Sequence, residues 1–150
     1  SILSSPFAPG ISLLAPAYNE GLTIIDNVKS LLSIMYNNLE IIIINDGSKD
    51  DTLQKLVEGF QMEKVPYYFK PELVTKEVRA IYKSRNRAFS KLIVVDKCNG
   101  GKADALNAGI NISTRELVAC IDVDCIIERE ALLKMVVPYL KGNKPVIATG

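Results

Sequence analysis

The chain has 150 residues, of which 48% are apolar and 23% charged, enough for a single domain with one sizeable core and too apolar for intrinsic disorder. Eighteen basic residues against 17 acids leave a net charge of +1, which argues against a nucleic-acid partner, and the lack of any histidine excludes His-based triads, bases and metal ligands. Three cysteines (Cys98, Cys120, Cys125) without CxxC spacing exclude a disulfide framework or zinc site and fit a reduced, cytosolic environment.

No apolar run approaches the ~18 residues of a membrane span, and no signal peptide stands at the start. The chain opens on Ser1 and closes on Gly150 just after an apolar run, so it reads as one domain, 1–150, excerpted from something longer. Residues 1–9 form an extended leader, followed by a buried strand at Ile11–Ala15 that Pro16 ends. Ile24, Ile25, Val28, Leu31, Leu32 and Met35 keep a 3.6-residue period and predict a helix over 21–36. Leu39–Asn45 (LEIIIIN) is a second buried strand, and Asp46-Gly47-Ser48 turns the chain. Ser48-x-x-Asp51 resembles a capping box for a helix through Phe60 with Leu53, Leu56, Val57 and Phe60 inward.

The segment 63–91 differs from the rest. It holds eight basic residues and three acids, a net +5 that leaves −4 elsewhere. Strand-like pieces at Pro66–Phe69 and Val78–Tyr82 mark it as an excursion or hairpin. Two readings stand for its charge: a solvated face, or a face near an anionic cytoplasmic membrane surface, with Arg79, Lys83, Arg85 and Arg87 in contact. Regular order then returns, with a strand at Leu92–Val95, a helix at Lys102–Ile110, a strand at Glu116–Asp122, a helix at Glu128–Leu140 and a strand at Pro145–Ala148. This alternation predicts an α/β fold with a doubly wound, mostly parallel sheet, whose ligands bind beyond the carboxyl ends of the strands.

Those ends carry the informative residues. On a strand, Asp122 and Asp124 would point to one face and could hold one hard cation, Mg²⁺ or Mn²⁺, against a diphosphate. A solvated or helix-capping pair reads equally from the spacing. Asn99-Gly100-Gly101-Lys102 opens a helix with two glycines and a lysine, a phosphate cradle or a flexible turn. Neither a P-loop nor GxGxxG is present. Asp46 could accept from a nucleobase N–H or serve only the Asp-Gly turn, and Tyr18 could stack on a ligand or half-bury at the sheet edge. Taken in chain order, a base reader, a phosphate cradle and a metal pair favour a nucleoside diphosphate.

PAYNEG (16–21), IIIINDGSKDDT (41–52), NGGKADALNAGI (99–110) and ELVACIDVDC (116–125) resemble the family 2 inverting glycosyltransferases of the GT-A fold over about residues 10–150. The GGKADALN form is most similar to the membrane-bound branch of cellulose, chitin, hyaluronan and poly-N-acetylglucosamine synthases. The resemblance implies that Pro16, Ala17, Tyr18 and Glu20 line a nucleotide pocket and that Asp46 reads uracil. It places Lys102 near the diphosphate, Asp122 and Asp124 at the donor and its Mg²⁺ or Mn²⁺, and Asp104 and Asn107 at the same helix start. It implies a UDP-sugar donor (UDP-GlcNAc or UDP-glucose), inverting transfer to a glycan or lipid-linked acceptor, and a parent at the cytoplasmic face of the membrane through segments absent here. The general base is expected after Gly150, so none of these residues is a catalytic base. Three alternatives stand beside it. A nucleotide-sugar-binding or regulatory module would bind without transfer; a pyrophosphorylase would need a glycine-rich first loop with Arg; a receiver domain would need an acidic pair where only Glu20 stands.

Overall fold

The computed structural model describes residues 8–68 and 71–125 and the backbone of 146–148. Seven strands form one sheet: β1 (Ile11–Ala17), β2 (Leu39–Asp46), β3 (Met62–Val65), β4 (Val78–Ser84), β5 (Leu92–Lys97), β6 (Leu117–Cys120) and β7 (Val146–Ala148). Their order is β3-β4-β5-β2-β1-β6-β7. β5, β2, β1, β6 and β7 run parallel, and the β3–β4 hairpin adds antiparallel to the β5 edge. The basic excursion is thus in part that hairpin.

Helices α1 (Ile24–Leu32) and α2 (Thr52–Gly59) cover one face, where Ile24, Val28, Leu31 and Leu56 join Leu13, Ile41 and Ile43 in the core. Helix α3 (Lys102–Ile112) covers the other, setting Ala105 and Ala108 against Leu14, Ile42 and Ile44. Because both faces are covered, all eight residues of β2 are buried, which is why its apolar run shows no alternation. The doubly wound α/β sheet expected from the sequence is the one observed. From β1 the chain winds outward to β2 and β5, then returns through α3 to place β6 on the other side of β1. The switch point of the sheet lies between β1 and β6.

Several boundaries move. Pro16 does not end β1, which continues to Ala17 beside Asn45 of β2. Toward β6, Leu117 N–H donates to Gly10 O and Ile121 N–H to Leu14 O; the next rung needs an N–H at position 16, which proline lacks. The β1–β6 ladder therefore stops at Leu14–Cys120, and the chain beyond β6 is free to turn away. The helix expected over 21–36 spans only 24–32, and Met35, expected inward, lies outside it and 69% exposed. The strand expected at 66–69 is instead Met62–Val65, ending at a proline that cannot donate to the ladder. The helix expected at 128–140, Pro145, Phe69 and most of the leader lie outside the described residues.

Candidate functional site

The loops leaving the carboxyl ends of β1 and β2 are sewn together by side chains. Asn19 adopts a left-handed conformation (φ 53°), which asparagine tolerates better than most residues, and its Oδ1 accepts from the backbone N–H of Lys49 (2.8 Å) and Asp50 (3.3 Å). Its own N–H donates to Ser48 Oγ (3.0 Å), and Glu20 N–H donates to Thr52 Oγ1 (2.9 Å). Asp51 holds the N-cap position of α2 without a side-chain cap bond, so the Ser48/Asp51 capping box does not form; Asp50 before it accepts from Thr52 N–H (3.0 Å), Thr52 Oγ1–H (2.5 Å) and Gly21 N–H (2.9 Å). The Thr52 hydroxyl bond, helped by those amides against the cost of burial, holds the Asp50 carboxyl below its ordinary range.

At the end of β2, Asp46 is 3% exposed, and its carboxylate meets four donors. Oδ1 accepts from Lys97 Nζ (2.7 Å) and Gly100 N–H (3.0 Å); Oδ2 accepts from Gly101 N–H (2.8 Å) and, more weakly, Asn99 Nδ2 (3.3 Å). Asn99 Nδ2 also donates to Asp46 O (2.8 Å). A carboxylate offers about four lone-pair sites, so all are engaged. Rather than presenting an open acceptor for a nucleobase, Asp46 fastens the Asn99–Lys102 loop, whose glycine amides converge on a carboxylate of the protein. Two glycines make this possible. Gly101 sits at φ +95°, and Gly47 at φ +66° packs so closely that a Cβ there would lie 2.5 Å from Asn99 N.

Lys97, fully buried, also pairs with Asp104 Oδ2 (2.5 Å) and donates to Cys98 O (2.6 Å). Asp104 accepts as well from Lys76 N–H (3.0 and 3.2 Å). Burial pushes the Asp104 carboxyl up, but the bonds from Lys97 and Lys76 and their two charges outweigh it and hold the group below its ordinary value. Asp104 thus belongs to a buried ion network beneath the loop and does not line the site cavity.

The Asp122/Asp124 pair departs from the strand geometry expected of it. β6 stops at Cys120, and Asp122 opens a turn closed by Cys125 N–H to Asp122 O (2.9 Å). Asp122 is the first and Asp124 the third residue of this turn, so the pair does not share a strand face. Asp122, half exposed, accepts from Lys102 Nζ (2.8 Å), and that bond and charge push the Lys102 ammonium above its ordinary value. Asp124 is exposed and has no side-chain partner among the described residues.

Pro16, Ala17, Tyr18, Glu20, Asp46, Lys102 and Asp122 line one cavity of about 170 Å³ at the switch point. Seven residues singled out from sequence therefore meet in one place. Asp104, Asn107 and Asp124 are not in its wall, and half-buried Asn107 sits farther along α3. The volume is below the roughly 300 Å³ of a drug-sized pocket and holds only part of a nucleotide. Sequence reasoning missed Lys97, Asn19, Asp50 and Thr52. Asn19 had a signal in its residue type, whereas Lys97 falls beyond the strand expected at Leu92–Val95, where nothing in its type marks it as buried.

The class is an α/β domain with a mostly parallel sheet whose acidic and glycine-rich loops converge at its switch point. The chain belongs to glycosyl transferase family 2, whose model matches residues 12–92 and 75–150. It is 37% identical over 141 residues to a poly-beta-1,6-N-acetyl-D-glucosamine synthase of Staphylococcus epidermidis, and 33% identical over 142 residues to one of Staphylococcus aureus strain COL. Each alignment covers 94% of this chain and 28% of the relative, so the chain spans little more than a quarter of those proteins. Among solved structures, a mannosyltransferase from Pyrobaculum calidifontis, in complex with GDP-Man and Mn²⁺, superposes with a TM-score of 0.61 at 21% identity, covering 83% of this chain and 30% of that one. S. aureus TarS 1–349 superposes with a TM-score of 0.56 at 23% identity over the same shares. Both structures share the fold, and the GT-A architecture expected from sequence is the one found.

Proposed function

We propose that the chain is the donor-binding part of a glycosyltransferase that takes a UDP-sugar and passes the sugar, with inversion, to a glycan or lipid-linked acceptor. The observation that carries this is the single cavity joining Pro16, Ala17, Tyr18 and Glu20 of the first loop to Asp46, Lys102 and Asp122 at the switch point. The names of the relatives favour UDP-GlcNAc over UDP-glucose. Membrane association belongs to the same proposal, through parts of the parent protein; among the described residues no helix is long and apolar enough to cross a bilayer.

The residues suit a divalent cation that arrives with its substrate. No group of three acidic or cysteine ligands exists among the described residues, which speaks against a cage made of protein alone. Mg²⁺ is commonly held by one or two carboxylates plus substrate phosphates, and Asp122 and Asp124 are such a pair. Bound there, Mg²⁺ or Mn²⁺ would neutralise charge on the departing diphosphate. Lys102 would exchange Asp122 for a phosphate oxygen. Tyr18, 44% exposed at the cavity wall, offers its ring to the base. A base N–H that bonds Asp46 would replace Asn99 Nδ2, its longest contact.

Calorimetric titration with UDP, with and without Mn²⁺, tests this. Mn²⁺ should tighten UDP binding, and Asp124→Ala, at an exposed position without side-chain partners, should remove the metal's effect while leaving the fold intact. Undiminished Mn²⁺ stimulation in that variant would refute the metal assignment, and equal affinity for UDP and CDP would refute uracil recognition.

A further inference from the structure

The opposite end of the sheet, at the amino ends of the parallel strands, holds a second and larger cavity of about 600 Å³. Lys83, Lys91 and Arg115 line it, together with Asn37, Ser90 and Thr114. Its one carboxylate, Glu40, is 5% exposed and already accepts from Ser12 Oγ (2.5 Å), Thr114 N–H (3.0 Å) and Thr114 Oγ1 (2.9 Å). Among the described residues none of the three cations makes a salt bridge. Lys91 donates only to Tyr36 O (2.7 Å), and burial pushes its ammonium below the ordinary value, the behaviour of a cation short of counter-charge.

Arg115 donates Nη1–H to Thr114 Oγ1 (2.8 Å), while its buried Nε–H finds no acceptor among the described residues. Buried donors are ordinarily satisfied, so the guanidinium of this cavity-lining residue keeps donor capacity that the described residues do not use. At the end of α3, Ser113 N–H donates to Gly109 O and Ile110 O, so these two carbonyls do not call on the cations. An adjoining cavity of about 270 Å³ shares Glu40, Lys83, Ile93 and Thr114 and adds Tyr67 and Tyr68, giving an apolar lobe beside the basic one.

We propose that this cavity binds a phosphate-bearing small molecule, with its phosphate oxygens on Lys83, Lys91 and Arg115 and its uncharged remainder along Tyr67 and Tyr68. Three cations and the Ser90 hydroxyl around one space match an anion with several acceptor oxygens better than a lone carboxylate. The site is separate from the donor cavity and does not depend on it. The same chemistry is carried by a free phosphorylated metabolite and by a phospholipid headgroup, so two probes are needed.

Inorganic pyrophosphate added to the ¹⁵N-labelled chain at low salt should shift the Thr114 and Arg115 amides saturably if the source is free. Vesicles of phosphatidylglycerol in phosphatidylcholine should sediment the chain if the source is a headgroup. Lys83→Gln, at an exposed side chain without a hydrogen bond of its own, should weaken whichever binding is seen by tenfold or more. Any shifts that pyrophosphate causes at Gly100, Gly101 and Lys102, at the other end of the sheet, should be unaffected by that substitution. Binding of neither probe, or equal binding by the Lys83→Gln chain, would overturn the proposal.

Discussion

Replacing Lys97 by Met tests whether the glycine loop is held by a buried ion network. The substitution keeps the apolar stem and removes the ammonium, which is fully buried between Asp46 (2.7 Å) and Asp104 (2.5 Å). Breaking a buried pair by removing one partner costs about 3–5 kcal/mol, because the remaining charge stays buried. Two features of this site decide where in that range the loss falls. Asp104 has 18% of its side chain exposed and keeps the Lys76 amide, so it recovers some hydration. Asp46 keeps two glycine amides and Asn99 but cannot reach bulk water at 4% side-chain exposure. The loss should therefore lie near the lower end, about 3 kcal/mol. With a urea dependence of about 2 kcal/mol per molar, the unfolding midpoint should fall by ~1.5 M. Asp46→Asn/Lys97→Met should be less damaged than the two single losses combined, since the partners are coupled. A midpoint shift below ~0.3 M for Lys97→Met would refute the network as a structural support.

Three further outcomes follow from the same geometry. Burial raises the Cys120 thiol to about 11, with the Lys102 charge pulling weakly the other way. In a Cys98→Ser/Cys125→Ser chain at pH 8, only about one Cys120 in a thousand is then thiolate, so a disulfide dye should react at least ~100-fold slower than in urea; a fast native reaction contradicts the burial. Asp104, whose carboxyl is depressed in the folded chain, adds stability that is present above its unfolded value near ~4 and is lost as pH falls through the folded value. Urea midpoints should thus decline on acidification below pH ~4, more steeply in the parent chain than in Asp104→Asn, and parallel profiles would deny it that role. Gly101→Ala should cost about 1–3 kcal/mol from its φ of +95° alone, while Gly47→Ala should cost more because its Cβ meets Asn99 backbone; the reverse order in urea melts would show that the Asn99 contact is soft.

Much of the sheet was legible because burial on both faces leaves an unmistakable trace. The uninterrupted Ile41–Ile44 run has no reading as an exposed strand, and the alternation with helices then implies a parallel sheet. The edges were less legible, for physical reasons. Met62-Glu63-Lys64-Val65 carries two charges in four residues, as an edge strand should, and the apolar sequence around Tyr67 and Tyr68 drew the strand assignment four residues downstream. Met35 keeps the period of α1, but the helix has already ended at Leu32, so periodicity alone overran the cap.

In the site, residue type was readable and bond partners were not. Asp46, Asp50 and Asp51 stand within six positions, and spacing alone cannot say which of them bonds the start of a helix; Asp50 does so, and Asn19, in the loop after the neighbouring strand β1, fixes the turn before it. Lys97 stands two positions past Val95, where the sequence ends the strand, yet the sheet continues over it toward Val78 of β4 and two acids from different elements close around its ammonium. Asp122 shows the same limit from the other side. The pair was expected to share a face because a strand was expected to run through it, and what ends the ladder is the missing N–H of Pro16, about a hundred positions earlier. Pro16 therefore acts twice, lining the cavity and releasing from the sheet the turn that carries both carboxylates.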